Sequence, residues 1–256
     1  MTTATKPLLE ICVESFDDAM VAARAGADRI EYCAALAVGG LTPSAGAMAR
    51  LRDIPVPCRV MIRPRPGDFI YGPADVAMMK HDIALARDHG AEGIVIGAAK
   101  PDGRLDRDML ADLLSVAGGL KATLHRVFDA VPDPFDALEG AIDLGFDRIL
   151  TSGQQPTAEQ GADMIARLIT QADGRITILP GSGITPENAA KLLRTTGAVE
   201  LHASSKKANP VDDGYAAGRV ATDGDIVRGL KAGMAGGDIN ENGAAYSGCT
   251  AFIRSF

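Results

Sequence analysis

The chain has 256 residues, 46% of them hydrophobic, with a formal net charge of -7 and a pI of about 5.1. This length suits one large domain with an ample core, and the acidic balance disfavours phosphate-rich partners, so we expect neither nucleic acid nor a membrane surface as a partner. No apolar stretch approaches the ~18 residues of a membrane helix, and the polar start from Met1 to Pro7 has no signal-peptide core, so we expect a cytoplasmic protein.

Short apolar runs alternate with longer helical patterns along the chain. The runs predict eight strands, Leu8–Val13, Asp28–Cys33, Arg59–Arg63, Gly93–Gly97, Lys121–His125, Asp147–Ser152, Arg175–Pro180 and Val199–Ser204. The helical patterns predict eight helices, at about Phe16–Ala25, Ser44–Asp53, Pro73–His89, Asp106–Ala117, Pro134–Leu144, Thr157–Gln171, Pro186–Thr195 and Asp223–Ala232. Eight such units predict an α/β fold, a closed (β/α)8 TIM barrel. An open doubly wound sheet is the alternative, but no GxGxxG motif follows the first strand.

Two segments lie outside this alternation. The stretch from Lys206 to Thr222 is predicted to be a long loop at the mouth of the barrel, a kind of loop that is often functional. The last residues, 236–256, are rich in Gly, Asn and Ser, which predicts a tail with little structure of its own. We therefore expect a single barrel domain over residues 1–235, followed by this tail.

A short repeat sets the register of the even-numbered strands. The pattern that begins Gly26-Ala27-Asp28-Arg29-Ile30 recurs from Gly90, Gly145 and Gly197. The fourth residue after each glycine is aliphatic and should face the helices, namely Ile30, Ile94, Ile149 and Leu201. Because side chains alternate along a strand, the third, fifth and seventh residues after each glycine should face the barrel interior and form three layers. The lowest layer is Arg29, Gly93, Arg148 and Glu200, the middle layer is Glu31, Val95, Leu150 and His202, and the upper layer is Cys33, Gly97, Ser152 and Ser204. We interpret Arg29, Arg148 and Glu200 as a structural ion-pair cluster.

The odd-numbered strands follow the same alternation. Their aliphatic residues should face the helices, namely Leu9, Ile11, Val13, Val60, Ile62, Ala122 and Leu124. Their polar or sulfur-containing neighbours then face inward, namely Glu10, Cys12, Met61, Arg63 and His125. Most inward polar groups lie toward the carboxyl ends of the strands, where barrels of this type hold their active sites. We therefore expect a ligand-binding mouth at that end rather than a purely structural network.

Several motifs in this frame resemble those of one known family. They are Leu9-Glu10-Ile11-Cys12, the stretches from Ala25 to Cys33 and from Gly39 to Ser44, the segment from Ile62 to Phe69, His125-Arg126-Val127-Phe128-Asp129, and the strand ends from Arg148 to Gly153 and from Glu200 to Ser205. In this order, from about Leu8 to Ser205, they resemble the CutC copper homeostasis family. The resemblance implies a (β/α)8 barrel associated with copper tolerance. We also expect a homo-oligomer, namely a dimer.

One hypothesis is that the mouth binds copper. Of the four cysteines, Cys12 and Cys33 lie on neighbouring strands, where we expect them at equal height and close enough to share one Cu(I), an ion that prefers thiolates. The alternative is that both are small core residues. Cys58 begins a strand and lies at the wrong end, and Cys249 lies in the tail. With no CxxC pair and no secretion signal, we expect no disulfides.

The other hypothesis is an enzyme of the lyase or isomerase type, acting on a small anionic or phosphorylated metabolite. The candidate catalytic residues are Glu10, Glu31, Arg63, His125 and His202. We expect His125 near Glu10 or Glu31, titrating near neutrality as a general acid or base. The candidate anion- or ligand-binding residues are Arg65, Asp68, Arg126, Asp129, Thr151, Ser152, Gly181, Gly183, Ser204 and Ser205.

Two further expectations concern charge at the mouth. We expect Arg65 or Arg126 to keep a charge without a carboxylate partner, because loop residues are freer to leave one. No lysine is predicted at an inward strand end, which argues against Schiff-base chemistry.

Overall fold

The barrel strands run parallel around one axis. A computed structural model describes residues 6–208 and 220–235, and its barrel strands are β1 (Leu8–Val13), β2 (Arg29–Tyr32), β3 (Cys58–Met61), β4 (Gly93–Ile96), β5 (Lys121–Leu124), β6 (Arg148–Thr151), β7 (Thr177–Pro180) and β8 (Glu200–Ala203). Each strand pairs with the next from β1 to β7, and β8 pairs with β1. A single bridge between Gly181 and His202 links β7 to β8, so the sheet is nearly closed. The predicted barrel is confirmed.

The helices alternate with the strands as expected. They are α1 (Phe16–Arg24), α2 (Ala45–Met48), α3 (Pro73–Asp88), α4 (Arg107–Ser115), α5 (Pro134–Asp143), α6 (Ala162–Ala172), α7 (Pro186–Thr196) and α8 (Gly224–Met234). Three of them begin with proline, whose fixed φ and missing N–H suit the first helical position. Side chains cap several starts; the carboxylate of Asp133, for example, accepts hydrogen bonds from the amides of Phe135 and Asp136. None of the described helices is long and apolar enough to cross a bilayer.

Two helices differ from their predicted bounds by more than two residues. The helix predicted over Ser44–Asp53 is broken into the single turn of α2 and a 3-10 turn at Leu51–Asp53, since Gly46 weakens the helix and Pro55 ends it. The sixth helix begins at Ala162 rather than Thr157. Before the helix begins, the chain passes very close to the end of β6, as shown by Gly161, where a Cβ would lie only 2.0 Å from the carbonyl oxygen of Ser152.

The segment after β8 also differs from prediction. Residues Lys206–Ala208 form β9 and residues Val220–Thr222 form β10, and the two pair antiparallel. The ribbon is fastened to α1, because the amide of Thr222 donates to the Asp18 carboxylate at 2.7 Å. The prediction of a loop from Lys206 to Thr222 is therefore wrong at both ends. The predicted tail, 236–256, lies outside the described residues, as does Cys249.

The predicted register is confirmed by how the apolar side chains group. The residues expected to face the helices, such as Ile30, Ile94 and Leu201, belong to one cluster shared with the helices. Inside the barrel, Cys33, Met61 and Val95 form a separate small cluster. The outer faces of the strands are thus apolar, while the inner faces of several strands carry the polar residues that build the site.

The lowest inner layer is the predicted ion-pair cluster. Glu200 receives hydrogen bonds from the Arg148 guanidinium at 2.6 and 2.7 Å, and from Arg29 at 2.7 Å. Arg29 also pairs with Glu10. A second buried arginine, Arg59, binds Asp147 through two contacts of 2.6 and 2.9 Å. Because buried charges persist only when paired, these contacts account for the charged floor of the barrel.

Candidate functional site

A cavity of about 400 Å³ opens at the carboxyl ends of the strands. Its lining residues come from β1, β2, β3, β6 and β8 and from the segments that follow the strands; they are Cys12, Glu31, Leu36, Val38, Gly39, Met61, Arg63, Phe69, His125, Arg126, Leu150, His202, Ser204 and Lys206. The predicted mouth is thus a real cavity. It brings together Cys12, Glu31, Arg63, His125, Arg126, His202 and Ser204 from the predicted site residues.

Arg63 is held by backbone rather than by carboxylates. Its Nη1 donates to the carbonyl oxygens of Val38 at 2.9 Å and Gly40 at 3.2 Å, and its Nη2 donates to that of Gly67 at 2.8 Å. Its Nε is buried and has no partner. The guanidinium also lies 4.9 Å from the ring centre of Phe69. Within the described part of the chain no carboxylate pairs with Arg63, so its positive charge stays uncompensated beside the cavity.

The two loop arginines behave differently from what the sequence suggested. Arg65 pairs with Asp68 at 3.0 Å and Asp75 at 3.2 Å, and none of these three lines the cavity. Arg126 pairs with Asp129 at 2.7 Å. The expectation that Arg65 or Arg126 keeps the charge without a partner is therefore wrong, because neighbouring loop carboxylates reach both.

His125 is a neutral imidazole in this site. Its Nδ1 accepts a hydrogen bond from the amide of Val127 at 3.1 Å, so the ring proton must reside on Nε2. That Nε2 is buried and has no partner. Burial, and then the charge of Arg63, lower the pKa of His125 to about 3. The expected titration near neutrality is wrong, because the ring lies beside Arg63 and Phe69 rather than beside Glu10 or Glu31.

The position of the His125 ring depends on a glycine. A Cβ on Gly97 would lie 2.4 Å from Cε1 of His125 and 2.6 Å from Cγ1 of Val127. Contacts that short are excluded for any larger residue without displacement of the ring. On its other side the ring packs against Phe69, with ring centres 4.7 Å apart. Gly97 and Phe69 therefore fix the place where the Nε2 proton is held.

His202, not His125, is the histidine between the carboxylates. Its Nδ1 lies 2.8 Å from Oε1 of Glu10, and its Nε2 lies 3.8 Å from Oε2 of Glu31. Burial alone lowers the pKa of His202, but the charge of Glu31, and then the contact with Cys12 and the hydrogen bond to Glu10, raise it well above its ordinary value. We therefore take His202 as an imidazolium at neutral pH.

The two carboxylates beside His202 differ in their surroundings. Burial on its own raises the pKa of Glu10, but Arg29 and His202 hold it well below its ordinary value. Glu10 does not line the cavity; it lies beneath His202 and joins the mouth to the charged floor. The pKa of Glu31 is raised by burial and by the charge of Glu10, against the charge of His202. One of its oxygens, Oε1, is buried and has no partner.

The two cysteines do not lie at equal height. The register of β1 and β2 pairs Cys12 with Glu31, so Cys33 lies two residues further along its strand. The Cys33 thiol lies 3.4 Å from Oε2 of Glu31, and burial, then Glu31, raise its pKa well above the ordinary value. The potential metal ligands that do converge are Cys12, Glu31 and His202, whose ligand atoms lie within 4.8 Å of one another. A dithiol pair at one level is therefore not what the structure places here.

The hydrogen-bond donors at the end of β6, which were predicted to bind an anionic ligand, bind the carboxylate of Asp129 instead. Its carboxylate accepts from the amides of Ser152 at 3.1 Å and Gln154 at 3.2 Å, and from the hydroxyls of Thr151 and Ser152. It also pairs with Arg126. The donors at the end of β6 are thus satisfied within the protein, and they position Arg126 rather than bind an external anion.

The Gly181-Ser182-Gly183 turn also lies away from the cavity. Gly181 bridges to His202 in the sheet, and the hydroxyl of Ser182 donates to the carbonyl oxygen of Pro156. The start of α7 is capped by Thr185 and Asn188. This turn therefore closes the sheet instead of lining the mouth.

Sequence reasoning missed several residues of the cavity wall. Lys206 is the first residue of β9 and lines the cavity, although it does not lie on a barrel strand. Lys206 was not among the predicted site residues, although the loop that begins with it was expected at the mouth. Ser204 lines the cavity as well, and Ser205 is buried with a hydroxyl that has no partner. Phe69 was part of a recognised motif, but its packing against both Arg63 and His125 requires the folded loop.

Comparisons with known proteins agree with this architecture. The model of the CutC family matches residues 7–207. A family protein CutC of Sinorhizobium medicae is 47% identical over 232 residues, which cover 88% of this chain and 95% of that protein. The human protein named copper homeostasis protein cutC homolog is 46% identical over 200 residues, covering 78% and 73%. The crystal structure of a CutC protein from Streptococcus agalactiae superposes with a TM-score of 0.73 at 32% identity, covering 77% and 98%.

Proposed function

Because this chain belongs to the CutC copper homeostasis family, we propose that it acts through the mouth of its barrel, as an enzyme of the lyase or isomerase type on a small anionic metabolite. In this proposal the effect on copper tolerance is indirect. The chemistry is general acid–base catalysis, and the charged wall of the cavity selects the substrate.

One observation carries this proposal. Among the described residues, five buried polar side-chain atoms have no hydrogen-bond partner, and they belong to Glu31, Arg63, Tyr71, His125 and Ser205. Three of these residues, Glu31, Arg63 and His125, line the cavity, and none of the five belongs to the charged floor. Leaving such an atom unsatisfied costs about 1–3 kcal/mol, so their concentration at one end supports a site completed by a ligand.

The charges of the wall favour an anionic ligand. Arg63 has no carboxylate partner among the described residues, and Lys206 adds positive charge to the lining of the same cavity, whereas the charge of Arg126 is balanced by Asp129. A cleft with low-dielectric walls focuses such charge and concentrates small anions. In the same cavity, Glu31 supplies an acceptor for a proton and His125 supplies a hydrogen-bond donor. This combination supports proton transfer on an anionic substrate.

The test is anion binding by two matched variants. Isothermal titration with inorganic phosphate and with malonate should detect binding in the unchanged protein at concentrations up to the millimolar range. Arg63→Lys should weaken that binding about tenfold or more, about 1.4 kcal/mol. The single ammonium group of lysine cannot make all three carbonyl contacts and also place a donor where Nε of the arginine lies. Arg65→Lys, with the same change of chemistry outside the cavity, should bind as the unchanged protein does. Absence of binding, or an equal loss in both variants, would contradict an anionic substrate.

Copper binding is the second candidate, and the convergence of Cys12, Glu31 and His202 favours it. Glu10 holds Nδ1 of His202, which is how carboxylates commonly orient a metal-binding imidazole. One thiol with an imidazole and a carboxylate fits a borderline divalent ion better than Cu(I), which prefers two thiolates. The charge on His202 opposes any metal, because the ligand nitrogen must first lose its proton.

Single cysteine variants separate the two possible copper sites. In a competition assay with a Cu(I) chelator, Cys12→Ser should weaken binding about tenfold or more, about 1.4 kcal/mol, if the converging set holds the ion. Cys33→Ser should then leave the affinity close to its original value. An equal loss of affinity in both variants would indicate that Cys12 and Cys33 bind Cu(I) together. No loss in either variant would indicate that both cysteines are core residues.

The cellular location and the assembly complete the proposal. The cysteines that the structure describes are all free, namely Cys12, Cys33 and Cys58, which is consistent with a reducing cytoplasm. The homodimer remains a prediction, to be measured by light scattering of the full chain in solution.

A further inference from the structure

The tautomer of His125 limits what its free nitrogen can do. Because Nδ1 accepts from the Val127 amide, Nε2 carries the proton, and a neutral Nε2–H can only donate. It cannot abstract a proton from a ligand. Nε2 is buried without a partner, and Gly97 and Phe69 leave the ring no room to turn away. The group that meets His125 must therefore be a hydrogen-bond acceptor.

Glu31 offers the opposite function. Its Oε2 lies 3.4 Å from the thiol of Cys33 and 3.8 Å from Nε2 of His202. Its Oε1 is buried and has no partner, so one carboxylate oxygen is available to accept a proton. The group that meets Glu31 must therefore supply a proton.

The donor and the acceptor stand on separate parts of the cavity wall. Glu31 is on β2 and His125 follows β5, three strands away in the sheet order. A ligand lying between them presents an acceptor oxygen to one wall and a proton to the other. Arg63 lies close to His125, since both side chains pack against Phe69. A negatively charged group of the ligand would therefore pair with Arg63 on the same side of the cavity as the oxygen that accepts from His125.

Building on the proposed function, we propose that the mouth enolises a small anionic aldehyde or ketone, with Nε2–H of His125 bound to the carbonyl oxygen and Glu31 taking the proton from the adjacent carbon. The electron pair of the broken C–H bond becomes the C=C bond of the enolate, and the carbonyl π pair moves to the oxygen. The proton that Glu31 then holds returns to carbon, or the enolate expels a group from its β carbon. No oxidant, reductant or other co-reactant is needed.

A neutral donor suits this role better than an imidazolium. The enolate oxygen gains negative charge as the proton leaves, and a fixed donor in a water-poor cavity stabilises that charge without rearrangement. An imidazolium would instead bind the anionic ground state more strongly and would lose its Nδ1 contact to Val127. The backbone amide that sets the tautomer is thus part of the catalytic arrangement.

Solvent isotope exchange tests the proposal directly. The full chain would be incubated in D2O with pyruvate, 2-oxoglutarate, dihydroxyacetone phosphate or D-glyceraldehyde 3-phosphate, and the loss of α-carbon protons followed by NMR. At least one of these should exchange faster with the protein than in buffer alone. Glu31→Gln and His125→Phe should each slow that exchange about 100-fold or more, whereas the control Arg65→Lys should not. Phosphate titration and circular dichroism verify that each variant remains folded and binds anions.

The outcomes separate this inference from the proposed function. Phosphate or malonate binding without exchange of any of the four compounds would overturn the enolisation proposal and leave the anion site standing. A lack of anion binding would remove the proposed function itself. Nitrogen-15 NMR gives an independent readout, since His125 should stay a neutral Nε2–H tautomer from about pH 6 to 8. An imidazolium in that range would also overturn the proposal.

Discussion

Replacing Glu10 with Gln should strongly destabilise the protein, because this single carboxylate joins the floor of the barrel to its mouth. One of its oxygens receives Arg29, and the other receives Nδ1 of His202 at 2.8 Å. Glu10 is almost fully buried, with 1% of its surface exposed. A glutamine has one acceptor and one donor in place of two acceptors, so either His202 loses its carboxylate contact or Arg29 keeps only its contact with Glu200.

The expected magnitude follows from burial. Breaking a buried ion pair by removing one partner costs about 3–5 kcal/mol, a large share of the ~5–15 kcal/mol that holds a domain folded. In urea titrations followed by circular dichroism at pH 7, the midpoint should fall on the order of 1 M. The matched control is Glu139→Gln, which removes a carboxylate from the exposed pair with Arg175 and should shift the midpoint far less.

The pH dependence provides a second check on the same variant. The pKa of Glu10 is lowered in the folded protein, so its contribution to stability is fully present above its unfolded pKa of about 4.3 and is lost as pH falls through the folded value. The gap between the unchanged protein and Glu10→Gln should therefore be wide at pH 7 and narrow in acid. If Glu10→Gln unfolds at the same urea concentration as Glu139→Gln, or the gap is constant with pH, the buried pair does not act as described.

Three other changes test separate parts of the site. Gly97→Ala should displace the ring of His125 and lower the melting temperature, because its Cβ would lie 2.4 Å from Cε1 of that ring. The control Gly72→Ala places its Cβ in open space and should leave the melting temperature nearly unchanged. Asp129→Asn should lower the melting temperature, since an amide cannot accept all the hydrogen bonds that the carboxylate takes; an unchanged melt would contradict this. The pKa of His202 is raised, so its stabilisation should be complete below about pH 6.5 and be lost as pH rises through the folded pKa. His202→Gln should accordingly destabilise most at pH 6 and progressively less in alkaline urea titrations, and the opposite trend would exclude a charged His202.

Much of the fold could be predicted because each strand shows its two faces in the sequence. The residue four places after Gly26, Gly90, Gly145 and Gly197 is aliphatic every time, and these four residues all pack against the helices. The period of two along a strand then places every neighbour, including Glu31 and His202, inside the barrel. These assignments depend only on local spacing, which the sequence contains in full.

Properties that depend on the distance between strands could not be predicted in this way. Two short motifs with the same spacing, ending at Cys12 and Cys33, suggested equal height, but the parallel register pairs Cys12 with Glu31. The offset between neighbouring strands comes from the closure of the whole barrel, and no local pattern records it. The position of His202 has a different cause: β8 pairs with β1, which places His202 beside Glu10, whereas His125 follows β5 on another part of the wall.

The distribution of partners explains why Arg63, and not a more exposed arginine, keeps its charge. Arg65 and Arg126 lie on loops that bring their own carboxylates, at Asp68 and Asp129, three residues away in each case. Arg63 lies at the end of a strand, where the nearest polar groups are backbone carbonyls of two loops. Carbonyl oxygens hold a guanidinium in place without cancelling its charge.

Buried polar side chains therefore have partners at one end of the barrel and lack some of them at the other. In the floor, Arg29, Arg59 and Arg148 each meet at least one carboxylate, and the described residues leave no side-chain atom there unsatisfied. At the mouth, atoms of Glu31 and His125 stay without partners although paired alternatives exist elsewhere in the same interior. A sequence that satisfies its polar groups so completely at one end can do so at the other. The unsatisfied atoms at the mouth are thus best explained by a ligand whose acceptor oxygen and acidic proton they match.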